Sequence, residues 1–481
     1  MRVLLLQSPT RAQGFGEMIR AEPLGLEMLA GGLRKGGHEV RILDLRIEGR
    51  RALQQALQSF RPHLCGISCP WTIDHPVVHR LASTLKEANP DIFVVVGGIH
   101  ASLCPQEFQP PLDGVVVGEG EETIRELAEG LEGGVALEGV KGLFLPEDPR
   151  AFSARPLIED LDSLPLPFRL RYGKGAGYYM GFQRPLALVE TSRGCPHRCS
   201  FCAVWPFYRG TYRAKSPERV VAELESISDP FVLFVDDNFL ADAPRAEEIA
   251  RLIERRRLKK RYTFQARADS ILRHPDLLKR WKAIGLKAIF VGLEEVTDEG
   301  LRKIGKGCSV EVNDRALDLL KKLEVEAWAS FIVDPSFGVE DFQRLRSYIR
   351  SRGVTNASFS VLTPLPGTRL YEEKKGELTT LDYRLFDIAH AVLPTKLPLE
   401  RFYVEFCSLY RTTYSSWKLI AEGFGAWLRG FPLPTLLKML ASAKRLSTPS
   451  YYMRAHLQGA SLQRVNSLPS RRSAPLPGRA S

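Results

Sequence analysis

The chain has 481 residues, 44% of them apolar, so it is long enough for two or three domains that each bury a core. Its formal net charge is +11, but the basic residues are scattered and accompany no motif that reads nucleic acid, so we expect no nucleic-acid partner. No apolar run approaches the roughly 20 residues needed to span a bilayer, no signal peptide is recognised, and eight cysteines in a chain of this length are not a secreted disulfide scaffold, which together favour a cytoplasmic location.

Residues 1–150 are predicted to form a first domain in which strands and helices alternate. Short apolar runs predict buried strands, and the segments between them have helical spacing. This alternation indicates a parallel α/β sheet with helices on both faces, as in a Rossmann-like domain. The predicted strands are residues 2–7, 40–43, 64–68, 92–96 and 114–117.

The loops after these strands are rich in small residues. Ser68 ends the third predicted strand, Gly97 and Gly98 close the fourth, and Gly118 and Glu119 follow the fifth. Ligands of such sheets bind at the carboxyl ends of the strands, and glycines there let a large planar cofactor approach the backbone. We therefore expect these five residues to contribute to a cofactor site.

Residues 151–180 are predicted to be a linker, and a second domain follows at residues 181–375. Repeated strand-then-helix units form a barrel-like sheet whose active site lies at the carboxyl ends of the strands. The six predicted strands are residues 186–190, 231–235, 262–266, 288–293, 327–333 and 357–362.

Three cysteines follow the first strand of this second domain. Cys195, Cys199 and Cys202 have the spacing C-x-x-x-C-x-x-C. Three thiolates in one loop can bind three irons of a [4Fe–4S] cluster, and no fourth cysteine follows at a local spacing. The fourth iron would then be open to a small ligand, which suits a cluster that performs chemistry.

Two other interpretations of these cysteines are weaker. His197 could complete a tetrahedral zinc site with the three thiolates. It lies between two of the cysteines, however, so closing the loop on one ion would strain it. A disulfide is disfavoured because the chain does not resemble a secreted scaffold.

The cysteine motif resembles that of the radical S-adenosylmethionine (radical SAM) family, including the aromatic residue Phe201 before the third cysteine. The resemblance implies a partial (β/α)6 barrel and a [4Fe–4S] cluster. It also implies that S-adenosylmethionine binds the open iron through its amino and carboxylate groups and is cleaved to a 5′-deoxyadenosyl radical.

In this family, residues after successive barrel strands hold S-adenosylmethionine. The resemblance assigns its amino group to Asp236 and Asp237, whose carboxylates suit an ammonium. Arg267 is assigned to the methionyl carboxylate, because a guanidinium is fork-shaped and always charged. Glu294 matches a position that contacts the ribose. Each residue alone could equally be a capping or turn residue, but their common position after successive strands supports them together.

The first domain resembles the cobalamin-binding domain that precedes many radical SAM cores. The resemblance implies that its five loop residues contact cobalamin, which would work as methylcobalamin; the alternative is an unliganded Rossmann-like module. The Asp-x-His-x-x-Gly motif, whose histidine ligates cobalt in some cobalamin enzymes, is absent. We therefore expect no histidine on the lower face of cobalt, and we expect His100, in a tight Gly-Gly turn, to be structural.

Residues 376–464 are predicted to form a helical C-terminal extension. Its stretch 378–403 resembles hopanoid C-3 methylases in particular. Residues 417–446 mix apolar and basic residues and predict amphipathic helices split at Pro432 and Pro434, which either cap the barrel or contact the inner face of a membrane peripherally. Residues 465–481, rich in Ser, Pro and Arg, are predicted to be disordered.

Together these resemblances imply a cobalamin-dependent radical SAM methyltransferase acting on an unactivated carbon of a polycyclic lipid, with hopanoid C-3 as the expected position. They also imply an electron donor such as flavodoxin or ferredoxin. Two alternatives stay open. One is another cobalamin-dependent radical SAM reaction, such as a porphyrin-type cyclisation or a natural-product methylation. The other is a non-enzymatic regulator that senses cobalamin or Fe–S clusters.

Overall fold

The computed structural model describes residues 1–10, 18–172, 177–414 and 416–466. Its first domain contains β1 (Arg2–Gln7), β2 (Ile19–Arg20), α1 (Leu24–Lys35), β3 (Glu39–Asp44), α2 (Gly49–Ser59), β4 (Leu64–Ser68), α3 (His75–Ala88), β5 (Phe93–Gly97), α4 (Ile99–Leu103), β6 (Gly114–Val116), α5 (Gly120–Gly133) and β7 (Leu143–Phe144). The sheet order is β3-β1-β4-β5-β6-β7, and only β7 is antiparallel. The predicted parallel sheet is confirmed, with β7 as an addition.

The central strand β1 shows why this sheet is covered on both faces. Val3, Leu4, Leu5 and Leu6 are all fully buried. Because successive side chains of a strand point to opposite faces, Leu4 and Leu6 join the hydrophobic core on one side of the sheet, and Val3 and Leu5 join the core on the other. A continuous apolar run is what a parallel strand between two helical layers requires.

The second domain is a half-barrel. Its elements are β8 (Tyr179–Met180), β9 (Leu186–Val189), β10 (Ser192–Arg193), α6 (Val204–Phe207), β11 (Arg213–Ala214), α7 (Pro217–Ser226), β12 (Phe231–Phe234), α8 (Ala243–Arg255), β13 (Arg261–Arg267), α9 (Ala268–Arg273), α10 (Pro275–Ile284), β14 (Leu286–Glu294), α11 (Asp298–Lys303), α12 (Val310–Lys322), β15 (Glu326–Val333), α13 (Val339–Arg352), β16 (Ala357–Val361) and α14 (Arg369–Lys374). Six parallel strands follow one another in the order β9-β12-β13-β14-β15-β16. All six predicted strands are confirmed, so their carboxyl ends share one edge of the sheet.

The C-terminal extension is helical from Leu399 onward, whereas residues 378–398 contain one short 3₁₀ turn, Tyr383–Leu385. It contains α15 (Leu399–Thr413), α16 (Ser416–Leu428), α17 (Leu433–Leu446) and α18 (Pro449–Asn466). The rings of Tyr403 in α15 and Tyr452 in α18 stack with centroids 4.8 Å apart, and both belong to the core of the half-barrel. Helix α18 ends at Asn466, so it includes the first two residues of the stretch predicted to be disordered. Residues 467–481 of that stretch lie outside the described residues. No helix in the described part of the chain is both long and apolar enough to cross a membrane.

A largely buried arginine in the predicted linker joins the two domains. The guanidinium of Arg169 contacts the carboxylate of Glu22, just before α1, and donates to that of Glu223 in α7 at 2.7 Å. Glu27 in α1 lies 4.0 Å away, and burial followed by the charge of Glu22 raises its pKa to about 8. One cation thus contacts carboxylates from both domains. It is the cation that accompanies Glu22, whereas Glu223 also accepts from the ammonium of Lys215 at 3.0 Å.

Substitution of Arg169 tests this account. Arg169→Gln should lower the free energy of unfolding by about 3–5 kcal/mol, because it leaves the buried carboxylate of Glu22 without a cation. Arg125→Gln is the matched control: Arg125 pairs with Glu129 on the exposed face of α5 and should contribute less than about 1 kcal/mol. Urea unfolding followed by circular dichroism measures both, and equal losses would contradict the role given to Arg169.

Candidate active site between the two domains

The loop that carries the three cysteines is held in place by backbone contacts. Strands β10 and β11 pair as an antiparallel ribbon around it. Gly194, just before Cys195, has φ +88°, and a Cβ there would lie 2.1 Å from the Thr211 carbonyl oxygen, so a side chain is excluded. Further along, the Ser200 N–H donates to the Ile304 carbonyl at 3.2 Å, and the Ser200 carbonyl accepts from Leu370 N–H at 2.9 Å.

The thiols of this loop fit an iron–sulfur cluster. Cys195, Cys199 and Cys202 are free and partly exposed. Burial raises the pKa of Cys195 and raises that of Cys202 to about 12, so thiolates here require a bound cation. Among the described residues, no three His, Cys, Asp or Glu side chains converge closely enough to hold a single ion. A cluster takes one thiolate at each of three irons, so its ligands need not converge on a single ion.

Two aspartates and an asparagine follow β12, the strand next to the cysteine loop. Asp236 is fully buried and accepts from the Thr191 N–H at 3.1 Å, the Thr191 hydroxyl at 2.8 Å and the Ser192 hydroxyl, all through one oxygen. Its second oxygen, like the side-chain oxygen of Asn238, is buried without a hydrogen-bond partner in the described structure. Burial and the charge of Asp236 raise the pKa of Asp237 to about 7. Unpaired acceptors at this edge suit a donor such as an ammonium group.

Arg267 and Glu294 lie at the ends of the next two strands and share a partner that the sequence interpretation missed. Arg267 donates to Asp269 at 3.0 Å and to the Lys306 carbonyl at 2.6 Å. The Lys306 ammonium donates to Glu294 at 2.8 Å, and both side chains are buried. Glu294 also sits at a register shift of β14 with φ +66°, a left-handed conformation that costs a non-glycine residue about 1–2 kcal/mol.

The carboxyl edge of the first sheet is open where a cofactor was predicted. Ser68 and Gly97 are partly exposed, and Gly118 has φ +85° with no atom within 4 Å of the point where a Cβ would lie, so there is space beside its backbone. Trp71 is 60% exposed in the loop after β4. Gly98 also serves the fold, since a Cβ there would lie 2.8 Å from the Cys69 carbonyl group, and its contact with a cofactor stays a prediction. A large flat ligand fits against such an edge.

Glu119 has a role that the sequence interpretation missed. Its carboxylate accepts from Arg193 at 2.9 Å, from Arg213 at 2.9 and 3.0 Å, and from the Ile158 N–H at 2.6 Å. Burial by itself would raise the pKa of Glu119, but Arg213 and Arg193 together lower it. Its side chain therefore joins the domains, and a contact between this loop and cobalamin stays a prediction.

The contacts of Glu119 place the two sheet edges face to face. Glu119 follows β6 in the first domain, and Arg193 precedes the cysteine loop in the second, where it also binds Glu121 and Glu190. At another point, Gly367, after β16, lies against Leu103 of α4, whose Cβ would be 2.6 Å from a Cβ at the glycine. Both predicted cofactor edges thus border one interdomain site.

His100 lies among aromatic rings, which supports the structural role predicted from its position in a tight turn. It is buried beside the rings of His75, Phe108 and Tyr383, and its Nδ1 lies 3.3 Å from the Thr72 hydroxyl oxygen. Burial and the nearby His75 lower its pKa to about 3, so the ring is neutral.

Known proteins share both domains of this arrangement. Residues 20–128 match the B12 binding domain family, and residues 189–349 match the Radical SAM superfamily. The hopanoid C-3 methylase of Methylococcus capsulatus is 36% identical over 82% of this chain and 77% of its own length. An uncharacterised methyltransferase of Pyrococcus horikoshii is 30% identical over 82% of this chain and 88% of its own length.

A solved structure has the same architecture. The cobalamin-dependent S-adenosylmethionine radical enzyme OxsB, with aqua-cobalamin and S-adenosylmethionine bound, superposes with a TM-score of 0.68 at 19% identity, covering 97% of this chain and 75% of that one. The likeness extends through both domains and the helical extension.

The chain therefore belongs to the cobalamin-binding radical SAM family. It is a radical SAM methyltransferase, and its cofactors are a [4Fe–4S] cluster, S-adenosylmethionine and cobalamin.

The cysteine assignment is tested by single substitutions. Cys195→Ala, Cys199→Ala and Cys202→Ala should each abolish cluster binding and cleavage of S-adenosylmethionine, because each removes one of three iron ligands. Cys308→Ala is the matched control, since Cys308 is also partly exposed but lies outside the motif. Iron and sulfide content after anaerobic reconstitution are the measurements. Full iron content in Cys199→Ala would overturn the assignment.

The cobalamin site is tested by stoichiometry and by the cobalt ligand. Protein reconstituted with hydroxocobalamin should retain about one corrinoid per chain after desalting. The electron paramagnetic resonance spectrum of the cob(II)alamin form should show no nitrogen superhyperfine splitting, because the ligating histidine motif is missing. Splitting from a protein histidine would contradict this expectation.

Proposed function

We propose that the protein methylates C-3 in the A ring of a hopanoid. The observation that carries this proposal is the 36% identity to a hopanoid C-3 methylase over 82% of the chain. The A-ring carbons of such a lipid have no acidic proton, so polar methyl transfer would fail and hydrogen-atom abstraction is required.

Bound between the facing sheet edges, the cofactors supply a carbon-centred radical and a methyl group. The protein's own residues would position them. We assign the ammonium of S-adenosylmethionine to the unpaired oxygens of Asp236 and Asn238 and to Asp237. Arg267 would bind the methionyl carboxylate, and Glu294, fixed by Lys306, would bind the ribose. Side chains that are held rigidly and contact the cofactor directly keep the reacting groups aligned.

The segment that resembles hopanoid C-3 methylases borders this site. The Ile388 carbonyl accepts from Val361 N–H at 2.7 Å, at the end of β16. The hydroxyl of Tyr383 donates to Glu107 of the first domain at 2.9 Å. Leu378, Leu385, Phe386 and Val392 pack with Leu365 of the loop after β16. The segment therefore spans both domains beside the carboxyl edge, where it would shape an apolar substrate pocket.

The proposed partners follow from this chemistry. An apolar lipid is the proposed substrate, and a one-electron donor such as flavodoxin or ferredoxin would reduce the cluster before each cleavage of S-adenosylmethionine. Because the proposed substrate is a lipid, peripheral contact of the protein with a membrane is also part of the proposal.

Expression in a host that makes hopanoids but lacks a C-3 methylase tests the proposal. Hopanoids should appear in which one methyl group replaces a hydrogen of the A ring, as measured by mass spectrometry of extracted lipids. The Cys199→Ala variant is the control and should yield none, because it cannot generate the radical.

Two outcomes distinguish an error in the proposed substrate from an error in the proposed position of methylation. If protein loaded with both cofactors cleaves S-adenosylmethionine but leaves the hopanoid pool unmethylated, the substrate is wrong and the reaction class stands. If the methyl group is found on another ring, the substrate class stands and the position is wrong.

A further inference from the structure

Helices α16 and α17 expose an unusual amount of apolar surface. Thirteen large hydrophobic side chains are exposed among the described residues, and seven of them lie on these two helices. Six of the seven form what we call the hairpin face: Ile420, Phe424, Trp427, Leu433, Leu437 and Leu440, which are 39–59% exposed. Single exposed apolar residues are normal, but a contiguous patch marks an interaction site.

The hairpin face is built by helical periodicity. Ile420, Phe424 and Trp427 have the spacing i, i+4, i+7, and the three leucines of α17 repeat that spacing. Both rows therefore lie along one side of their helix. They border a groove of about 360 Å³ whose lining residues are all apolar or glycine.

The opposite side of the hairpin is fixed to the body of the protein. Ala426, Phe431, Leu436 and Met439 are buried against Tyr179 of β8. Strand β8 pairs with β2, which lies just before α1, so the hairpin is anchored where the chain passes between the domains. The hairpin face is thus the outer side of a docked element.

The charge of the C-terminal extension indicates which kind of partner the hairpin face binds. Residues 416–466 contain seven lysines and arginines and one acidic residue, Glu422. Arg429, Lys438, Lys444 and Arg445 are exposed. Apolar and aromatic side chains flanked by cations are the composition of helices that lie in the interface of an anionic membrane.

Two other possible partners of the hairpin face, a second copy of the chain and the segment 467–481, do not suit this charge. A second copy would place the same cations opposite one another in a two-fold contact. Residues 467–481, with Arg471, Arg472 and Arg479 and no acidic residue, would add positive charge to a positive rim.

We propose that the hairpin face docks the enzyme on a bilayer containing anionic phospholipids. This deepens the peripheral membrane contact of the proposed function, but it concerns docking alone and does not require that the substrate be a hopanoid. The exposed apolar side chains enter the boundary between headgroups and acyl chains, while the cations contact lipid phosphates.

Vesicle flotation of the cofactor-loaded, full-length protein tests the proposal. The protein should float with vesicles of phosphatidylcholine and phosphatidylglycerol, and much less with phosphatidylcholine alone. Phe424→Ser with Leu437→Ser should weaken binding at least about tenfold, because two apolar side chains no longer leave water. Val135→Ser with Leu166→Ser removes two exposed apolar side chains elsewhere and should not alter flotation.

Further measurements separate charge, folding and self-association. Lys438→Glu with Lys444→Glu should abolish the preference for phosphatidylglycerol and reduce the salt dependence of binding. Cleavage of S-adenosylmethionine with dithionite should be unchanged in every variant, which shows that the fold is intact. Absence of flotation with anionic vesicles, or equal flotation of the Phe424/Leu437 variant, would overturn the proposal. So would a dimer in light scattering that Phe424→Ser with Leu437→Ser converts to a monomer.

Discussion

The carboxylate of Glu119, shared by Arg193 and Arg213, is the constraint on which the interdomain site depends. Each sheet has its predicted cofactor site at the carboxyl ends of its own strands, so the two sites can act together only if the domains dock with these edges facing each other. Burying these charges carries a desolvation cost that their mutual attraction roughly offsets, so the cluster adds little net stability. Its value lies in orientation, because Glu119 without the two arginines would be a buried, unpaired charge.

The same group of charged side chains fixes the position of the cysteine loop. Arg193 is two residues from the first cysteine, and Asp236 holds Thr191 and Ser192 just before it. The Ser200 backbone is tied to Ile304 and Leu370 on its far side. A cluster bound here is therefore placed by the cobalamin domain as well as by the barrel. Glu294, strained in its backbone and paired with Lys306, extends this fixed arrangement to the next strands.

The sequence predicted the sheets because their strands are buried on both faces and consist of apolar runs, and it predicted the cysteine loop because the spacing is specific. It also placed Asp236, Arg267 and Glu294 at one edge, since parallel strands end together. It could not predict the partners of Glu119, which are 74 and 94 residues away, because such pairs exist only after the domains dock. Lys306 was missed because a lysine between two glycines resembles an exposed loop, although it is buried.

The contacts that Arg169 makes with both domains limit how domains could have been exchanged during the evolution of this protein. A linker is ordinarily the place where domains are exchanged between relatives, because few contacts cross it. Here the predicted linker supplies a cation that contacts acids of both domains, Glu22 on one side and Glu223, which also pairs with Lys215, on the other. Recombination that replaced the cobalamin domain alone would break this charge balance. The first domain, the linker and helix α7 are thus expected to be inherited as one unit.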